Sequence, residues 1–185
     1  MTNLATAQQL APSNLQLPVS AYFDADLYQR EMALLFKQWP GYVGHQLMVP
    51  DQGSYRTLSA ENEGRLLVRN SAGVELLSNV CRHRQALMLN GSGQVDTIVC
   101  PLHRWTYDLE GQLLGAPHFG DKPCLHLGKS PLQNWQGMLF EGPRDVVKDL
   151  GKLGVADDLD FTGYMLDHVE VHECNYNWKT FIEVY

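Results

Sequence analysis

From residue 41 to residue 143 the sequence is a series of short apolar or alternating runs, each ended by residues that favour turns. Runs of this length, broken by Gly, Asn, Ser and Pro, are typical of antiparallel strands joined by tight connections. We expect strands within residues 54–60, 65–69, 74–80, 94–100 and 134–140, and a hairpin over 106–114 around Glu110 and Gly111. The predicted fold is therefore mostly β.

A helix is predicted before this β body. Asp24 is a suitable N-cap, and Pro40 with Gly41 would end the helix. Between them, five apolar residues fall on one helical face, which we expect to pack in a core: Tyr28, Met32, Leu35, Phe36 and Trp39. Residues 1–20 are polar and without periodicity, so they are interpreted as an extended arm.

The C-terminal residues differ from the β body. Val169 and Val171 alternate with polar residues within 164–173, which predicts a strand, and 177–183 contains no residue that breaks regular structure. The last residues are apolar, which suggests a regular element that continues in a longer chain. We predict three regions: an arm and helix over 1–40, a β domain over 41–150, and the start of a further domain over 151–185.

The composition excludes several classes of protein. Hydrophobic residues make up 44% of the 185 residues and charged residues 19%, which suits a packed core rather than a disordered chain. The formal net charge of -7 argues against nucleic acid as a partner. No apolar run is long enough to span a membrane, and the first residues lack the features of a secretory signal. We therefore predict a cytoplasmic protein with no membrane partner.

Two segments contain the residues best suited to bind a metal: Cys81 with His83, and Cys100 with His103, in the pattern C-x-H-x16-C-x2-H. Two thiolates and two imidazoles suit either zinc or an iron-sulfur cluster in which two histidines replace two cysteines on one iron. Zinc fingers usually pair cysteine with cysteine and histidine with histidine, whereas each segment here offers one of each. The mixed pairing favours two irons, with both cysteines on one and both histidines on the other. A Cys2His2 zinc site is the alternative.

These residues resemble the Rieske cluster-binding motif, and residues 100–117, CPLHRWTYDLEGQLLGAP, resemble the α subunits of Rieske non-haem iron oxygenases. The resemblance extends to residues 79–84 and to Asn177, Trp178 and Lys179, and it covers the chain from about residue 22 to its last residue. It implies a Rieske [2Fe-2S] domain of small antiparallel sheets, preceded by a helix and followed by the start of an α+β catalytic domain.

The resemblance also implies a function, the electron-transfer part of a terminal oxygenase component. In that family a reductase or ferredoxin supplies electrons, and a mononuclear non-haem Fe(II) activates O2 to hydroxylate an aromatic or other small organic substrate. The subunits commonly form a homotrimer. Because the family's iron ligands follow the Asn177-Trp178-Lys179 segment, we expect this chain to lack the catalytic iron site. A stand-alone Rieske-type ferredoxin is the alternative, and the reading frame after Tyr185 would discriminate between the two.

Four residues near the motif bear on its properties. Gln85 and Arg104 stand where the family often has glycine, so we expect the two loops to differ locally in backbone shape or in the surface that meets a redox partner. Trp105 stands where respiratory Rieske proteins have a serine that donates to a sulfur, and Tyr107 matches the remaining hydroxyl donor. With one donor fewer, we expect the lower reduction potential of the oxygenases.

The remaining histidines and cysteines are assigned no metal. His168 and His172 beside Glu170 could suggest a two-histidine, one-carboxylate iron site. On a strand, however, the two histidines would lie ~13 Å apart, too far to share one ion, so we interpret them as surface residues. We expect the two other cysteines to be small buried side chains and the three isolated histidines to be packed or solvated: Cys124, Cys174, His45, His118 and His126.

Overall fold

The computed structural model describes residues 17–61, 64–121 and 123–184. Of these, residues 37–171 form one compact unit, and residues 17–36 with 172–184 form another. Most of the predicted extended arm lies outside the described residues, and the predicted domain boundaries stay a prediction. No helix in the described ranges is long and apolar enough to cross a lipid bilayer.

The larger unit is built from short strands in three antiparallel sheets across its described residues. In chain order the strands are β1 Gly41–His45, β2 Ser54–Thr57, β3 Arg65–Arg69, β4 Val74–Ser78, β5 Ser92–Gln94, β6 Ile98–Val99, β7 Thr106–Tyr107, β8 Leu113–Gly115, β9 Lys129–Ser130, β10 Gln133–Trp135 and β11 Met138–Glu141. The sheets have the orders β1-β11-β10, β5-β2-β3-β4-β9 and β6-β7-β8. The predicted mostly β fold of small antiparallel sheets is confirmed.

The five-stranded sheet is buried on both faces at its centre. Leu66 on β3 pairs with Leu77 on β4, and both side chains enter one apolar cluster. Their neighbours Leu67 and Leu76 also pair, but they enter a second cluster on the opposite face, because successive strand residues point to opposite sides. Both cysteines of the predicted metal motif lie in the first cluster. One face of this sheet therefore packs against the buried part of the candidate site.

Two predicted strands are divided in the structure. Residues 134–140 form the hairpin β10–β11, not a single strand, with Gln136 and Gly137 between the two. Both turn residues have left-handed backbones, with φ of 51° and 85°, as a two-residue type I′ turn requires. Glutamine is unusual at such a position, so the sequence carried no clear turn signal there. Residues 94–100 similarly contribute to both β5 and β6.

The strand predicted over 164–173 is wrong, because this segment forms no strand in the described chain. Its alternation is suited to a sheet, and a strand needs a partner for its backbone hydrogen bonds. The described residues offer no such partner to this segment. A short helix, Val146–Leu150, precedes this segment and is labelled α2, because the helix Ala25–Glu31 near the N-terminus is α1.

The smaller unit contains α1 (Ala25–Glu31) and α3 (Trp178–Val184). Asp24 caps α1 as predicted, since its side chain accepts a hydrogen bond from the Leu27 backbone N–H at 2.9 Å. A π-helical turn then extends to Phe36. The prediction that the apolar stripe packs in a core is wrong for these residues: Tyr28, Leu35, Phe36 and Trp39 are 39–53% exposed.

A charged pair occupies the buried part of the smaller unit in place of that stripe. Lys179 is 5% exposed, and its Nζ donates to both carboxylate oxygens of Glu31, at 2.6 and 2.7 Å. The indole Nε1 of Trp178 donates to the same carboxylate at 3.0 Å. Hydrogen bonds from Lys179 lower the pKa of Glu31, so the carboxylate stays ionised.

A second ion pair joins two sheets of the larger unit. Arg65 on β3 forms a two-pronged contact with Glu141 on β11, at 2.8 Å for each pair of atoms, and its Nε donates to Glu61 at 2.7 Å. The Glu141 carboxylate, and after it Glu61, raise the pKa of Arg65 above its usual range. The charged guanidinium therefore links the two sheets through hydrogen-bonded ion pairs.

We expect Arg65→Gln to lower the free energy of unfolding by about 2 kcal/mol, because two partly buried carboxylates lose a charged donor. The matched control is Lys129→Gln. Lys129 pairs with Glu75 at 2.7 Å but is 49% exposed, so its loss should change stability by less than about 1 kcal/mol. Urea unfolding of the variants measures both effects. Equal losses would show that burial of the Arg65 contacts adds nothing.

Candidate metal centre

The first candidate loop, residues 81–86, is closed by its own backbone. The N–H of Cys81 donates to the carbonyl of Ala86 at 2.9 Å, and the N–H of Gln85 donates to the carbonyl of Cys81 at 3.0 Å. These two bonds hold the cysteine at the base of the loop, where it is 1% exposed. His83 lies within the loop, between Cys81 and the residues that close it, Gln85 and Ala86.

The second loop, residues 100–105, repeats this pattern. The N–H of Cys100 donates to the carbonyl of Trp105 at 2.8 Å, and the N–H of Arg104 donates to the carbonyl of Cys100 at 3.0 Å. Cys100 is 2% exposed. Each loop is therefore a closed six-residue turn that begins at a buried cysteine, with a histidine third in the first loop and fourth in the second.

Both loops need a left-handed backbone at their fifth residue. Gln85 has a φ of 56° and Arg104 a φ of 61°. This is the conformation that glycine adopts without strain and that costs other residues about 1–2 kcal/mol. Gln85 and Arg104 therefore adopt a conformation that glycine favours, and the predicted local difference of the loops stays a prediction.

The two histidines meet between the loops. Their ring centroids lie 4.7 Å apart, at an angle of 76°. The Nδ1 atoms of both rings are buried and have no hydrogen-bond partner within the described chain. Since buried polar atoms normally have a partner, two such nitrogens on adjacent rings, with two buried free thiols in the same loops, fit a metal group bound by sulfur and nitrogen.

A zinc site and a [2Fe-2S] cluster differ in how their ligands converge. A structural zinc needs four converging ligands, whereas each iron of a [2Fe-2S] cluster needs two from the protein. Within the described ranges, no group of three or more His, Cys, Asp or Glu side chains is placed to bind one metal ion. Metal and sulfide analysis decides between the two sites.

Burial affects the protonation of His83. Removal from water, and then the positive charges of His103 and Arg84, lower the pKa of His83. The ring is thereby kept neutral, which is the form that binds a metal.

The hydroxyl of Tyr107 lies beside the first cysteine. Its oxygen accepts a hydrogen bond from the Arg82 backbone N–H at 3.2 Å and is 3.7 Å from the sulfur of Cys81. The phenol proton is therefore free to point at the sulfur. Burial, above all, raises the pKa of Tyr107, so the proton remains on the oxygen. This is the hydroxyl donor that the sequence predicted.

Asn79 holds the base of the first loop, a role that sequence reasoning missed. Its side chain donates to the Leu89 carbonyl at 2.7 Å and accepts from the Leu89 N–H at 2.9 Å, so the amide replaces a strand partner. Its own carbonyl accepts from Met88 at 3.0 Å. The sequence feature that could have indicated this role is the position of Asn79, two residues before Cys81.

Three arginines surround the loops. Arg82, Arg84 and Arg104 are exposed, and none forms an ion pair among the described residues. Neither loop contains a carboxylate. These three arginines therefore form a cationic rim around the loops, on a chain whose formal net charge is -7.

The other histidines and cysteines have local contacts of their own or are exposed. His168 contacts Asp167 and Glu170 at the surface, as expected of a solvated residue. Cys124 and Cys174 are exposed, so their predicted burial is wrong. The sulfur of Cys124 lies 3.5 Å from His126, whose Nδ1 accepts from Leu113. The remaining isolated histidines, His45 and His118, are partly buried and exposed, respectively.

The sequence is similar to those of several curated proteins. The chain is 72% identical over its whole length to putrescine 2-hydroxylase from Ralstonia nicotianae, and covers 51% of that protein. It is 54% identical to putrescine 2-hydroxylase from Bordetella bronchiseptica and covers 46% of it. The glycine betaine monooxygenase oxygenase subunit from Chromohalobacter salexigens is 36% identical over 90% of this chain and 40% of its own length. The chain thus spans about half the length of the curated relatives it matches.

Solved structures share the fold. A crystal structure of the quaternary ammonium Rieske monooxygenase CntA with an inhibitor matches with a TM-score of 0.74 at 23% identity, over 90% of this chain and 50% of that one. Naphthalene 1,2-dioxygenase with bound indole matches with a TM-score of 0.58 at 23% identity, over 69% of this chain and 32% of that one.

A sequence model of a protein family also matches this chain. The model for the Rieske [2Fe-2S] domain matches residues 40–135, which include both loops and most of the β body. This match spans more than half of the 185 residues. The chain therefore belongs to the Rieske [2Fe-2S] domain family.

Proposed function

We propose that this chain is the electron-transfer part of a terminal oxygenase component. Cys81 and Cys100 bind one iron of its [2Fe-2S] cluster through sulfur, and His83 and His103 bind the other through Nδ1. The observation that carries the proposal is the pair of buried, unpartnered Nδ1 atoms on adjacent rings. When bound, such a cluster supplies one-electron transfer.

The protein residues determine how readily an electron is accepted. Two thiolates carry two fewer negative charges than the four of an all-cysteine site, so an added electron meets less repulsion. The Tyr107 hydroxyl and the nearby arginines stabilise added negative charge further. The backbone hydrogen bonds that close each loop hold its cysteine and histidine in place, which limits rearrangement during electron transfer.

The first test of this proposal is removal of one sulfur ligand. We expect Cys81→Ser and Cys100→Ser each to lose iron, acid-labile sulfide and the Rieske-type EPR signal of the reduced protein. Cys124→Ser is the matched control, since Cys124 is a free, exposed cysteine outside the loops, and it should retain all three. Wild-type protein that contains zinc and no labile sulfide would contradict the cluster assignment.

The second test concerns the Tyr107 hydroxyl. We expect Tyr107→Phe to lower the reduction potential, because the Cys81 sulfur loses a donor that stabilises the reduced state. Tyr55→Phe removes a hydroxyl that contacts the Asn90 carbonyl, away from the ligands, and should leave the potential unchanged. Redox titration followed by EPR measures both variants. Equal potentials in all three proteins would show that Tyr107 does not tune the site.

The electron donor is proposed to be an acidic reductase or ferredoxin. The cationic rim of Arg82, Arg84 and Arg104 favours such a partner through charge complementarity. As the family resemblance implies, the complete protein would form a homotrimer and hold a mononuclear non-haem iron. That iron would supply O2 activation for the hydroxylation of a small organic substrate.

The proposed substrate is an aliphatic amine, with putrescine as the first candidate. Support comes from the two relatives named putrescine 2-hydroxylase, at 72% and 54% identity. The aromatic substrate anticipated from the sequence is the less favoured choice, since the chlorobenzene dioxygenase relative is 30% identical.

We expect the complete protein, with a competent reductase, to consume O2 and form a hydroxylated product in the presence of putrescine. Glycine betaine and salicylate are the comparison substrates, and product analysis by mass spectrometry accompanies the O2 measurement. Turnover of salicylate alone would overturn the amine assignment and leave the electron-transfer role standing. A reducible cluster with no turnover of any of the three would overturn the choice of putrescine and leave the electron-transfer role standing.

A further inference from the structure

Two aromatic rings, those of Trp105 and Phe119, pack against His83. Trp105 stacks on the imidazole, with the ring centroids 5.0 Å apart and the planes within 5°. Phe119 meets the imidazole edge-on at 5.7 Å and 88°, and it meets Trp105 at 5.2 Å and 83°. The Phe119 ring therefore packs across the edge of the stacked pair. In the ring contacts of the described chain, His103 has His83 as its single neighbour.

A tight turn presents Phe119 to this stack. The N–H of Phe119 donates to the Ala116 carbonyl at 3.2 Å, Pro117 takes the second position, and His118 has a φ of 71° at the third. These are the features of a type II turn, whose third position favours glycine. A histidine at that position is conformationally unfavourable, so the contacts made by Phe119 help to maintain the turn.

The environment of Phe119 is not that of a core residue. Its side chain is 47% exposed, whereas Trp105 is fully buried. Phe119 is a member of neither buried apolar cluster. Its aromatic contacts within the described residues are the candidate ligand and the ring stacked on that ligand. It thus lies between the stacked pair and solvent.

We propose that Phe119 is a positioning residue for His83 and a shield against water on that side of the metal centre. Stacking on Trp105 alone leaves the imidazole free to turn within its own plane, because stacked rings can slide and rotate over one another. The edge of Phe119 blocks that rotation and keeps Nδ1 directed at the iron. Its exposed half also excludes water that would compete with the imidazole as a ligand. This inference rests on the proposed function.

The test uses the complete protein purified with its cluster. We compare Phe119→Ala with Phe119→Leu, and with Leu114→Ala as a control, since Leu114 is similarly exposed at 49% and lies on the neighbouring β8. One readout is the decay of the visible absorption in aerated buffer. The other is the EPR spectrum of the reduced protein with the nitrogen hyperfine coupling of its histidines, which reports ring orientation.

We expect Phe119→Ala to shorten the cluster lifetime by about twofold to tenfold, the factor that corresponds to the loss of an edge-to-face aromatic contact. Its nitrogen coupling should change as well. Phe119→Leu retains apolar bulk, so its lifetime should stay within about twofold of the wild type. Leu114→Ala should match the wild type in both readouts.

Equal behaviour of Phe119→Ala and Leu114→Ala would overturn the inference, as would equal cluster loss from the Ala and Leu variants at Phe119. Cluster loss during purification of Phe119→Ala alone would support it. Wild-type protein without a Rieske-type signal would instead contradict the proposed function. A normal wild-type signal with an unchanged Phe119→Ala variant would contradict this inference alone.

Discussion

Closure of two short loops on their own backbone hydrogen bonds is the constraint on which the metal centre depends. Each loop begins at a buried cysteine and closes four and five residues later, with a left-handed residue at the fifth position. Closure places Cys81 and Cys100 in the apolar cluster and raises His83 and His103 toward the surface. Because sulfur and imidazole lie at different depths, the paired loops present a sulfur end and a nitrogen end.

The return strand of the second loop supports the ligands of the first. Trp105 lies directly before β7 and Tyr107 ends it, and both side chains are buried in the apolar cluster that contains the two cysteines. Trp105 stacks on His83, and the Tyr107 hydroxyl lies beside Cys81. Distortion of either loop would therefore disturb both ends of the site. Strands β3 and β4 limit such distortion, because they are packed on both faces.

Much of the fold could be predicted from local patterns, and the four ligands were proposed from patterns of the same kind. The Asp24 cap and strand β3 depend on spacing within a few residues, which the sequence displays directly. The β10–β11 hairpin was missed because Gln136 occupies a left-handed turn position that glycine or asparagine usually fills. The apolar stripe from Tyr28 to Trp39 was assigned to a core because periodicity reports which residues share a face, not what covers that face.

By itself, the sequence determined the proposed set of ligands, the family resemblance and the alternation of short strands, since each is a property of neighbouring residues. Tertiary structure alone decided which groups surround the ligands. Phe119 reaches His83 from a distant turn, Asn79 binds the backbone of Leu89, and the Nδ1 atoms of the two histidines are brought side by side. These contacts join residues far apart in the chain, and they form only when packing against the buried sheet fixes the direction of each loop.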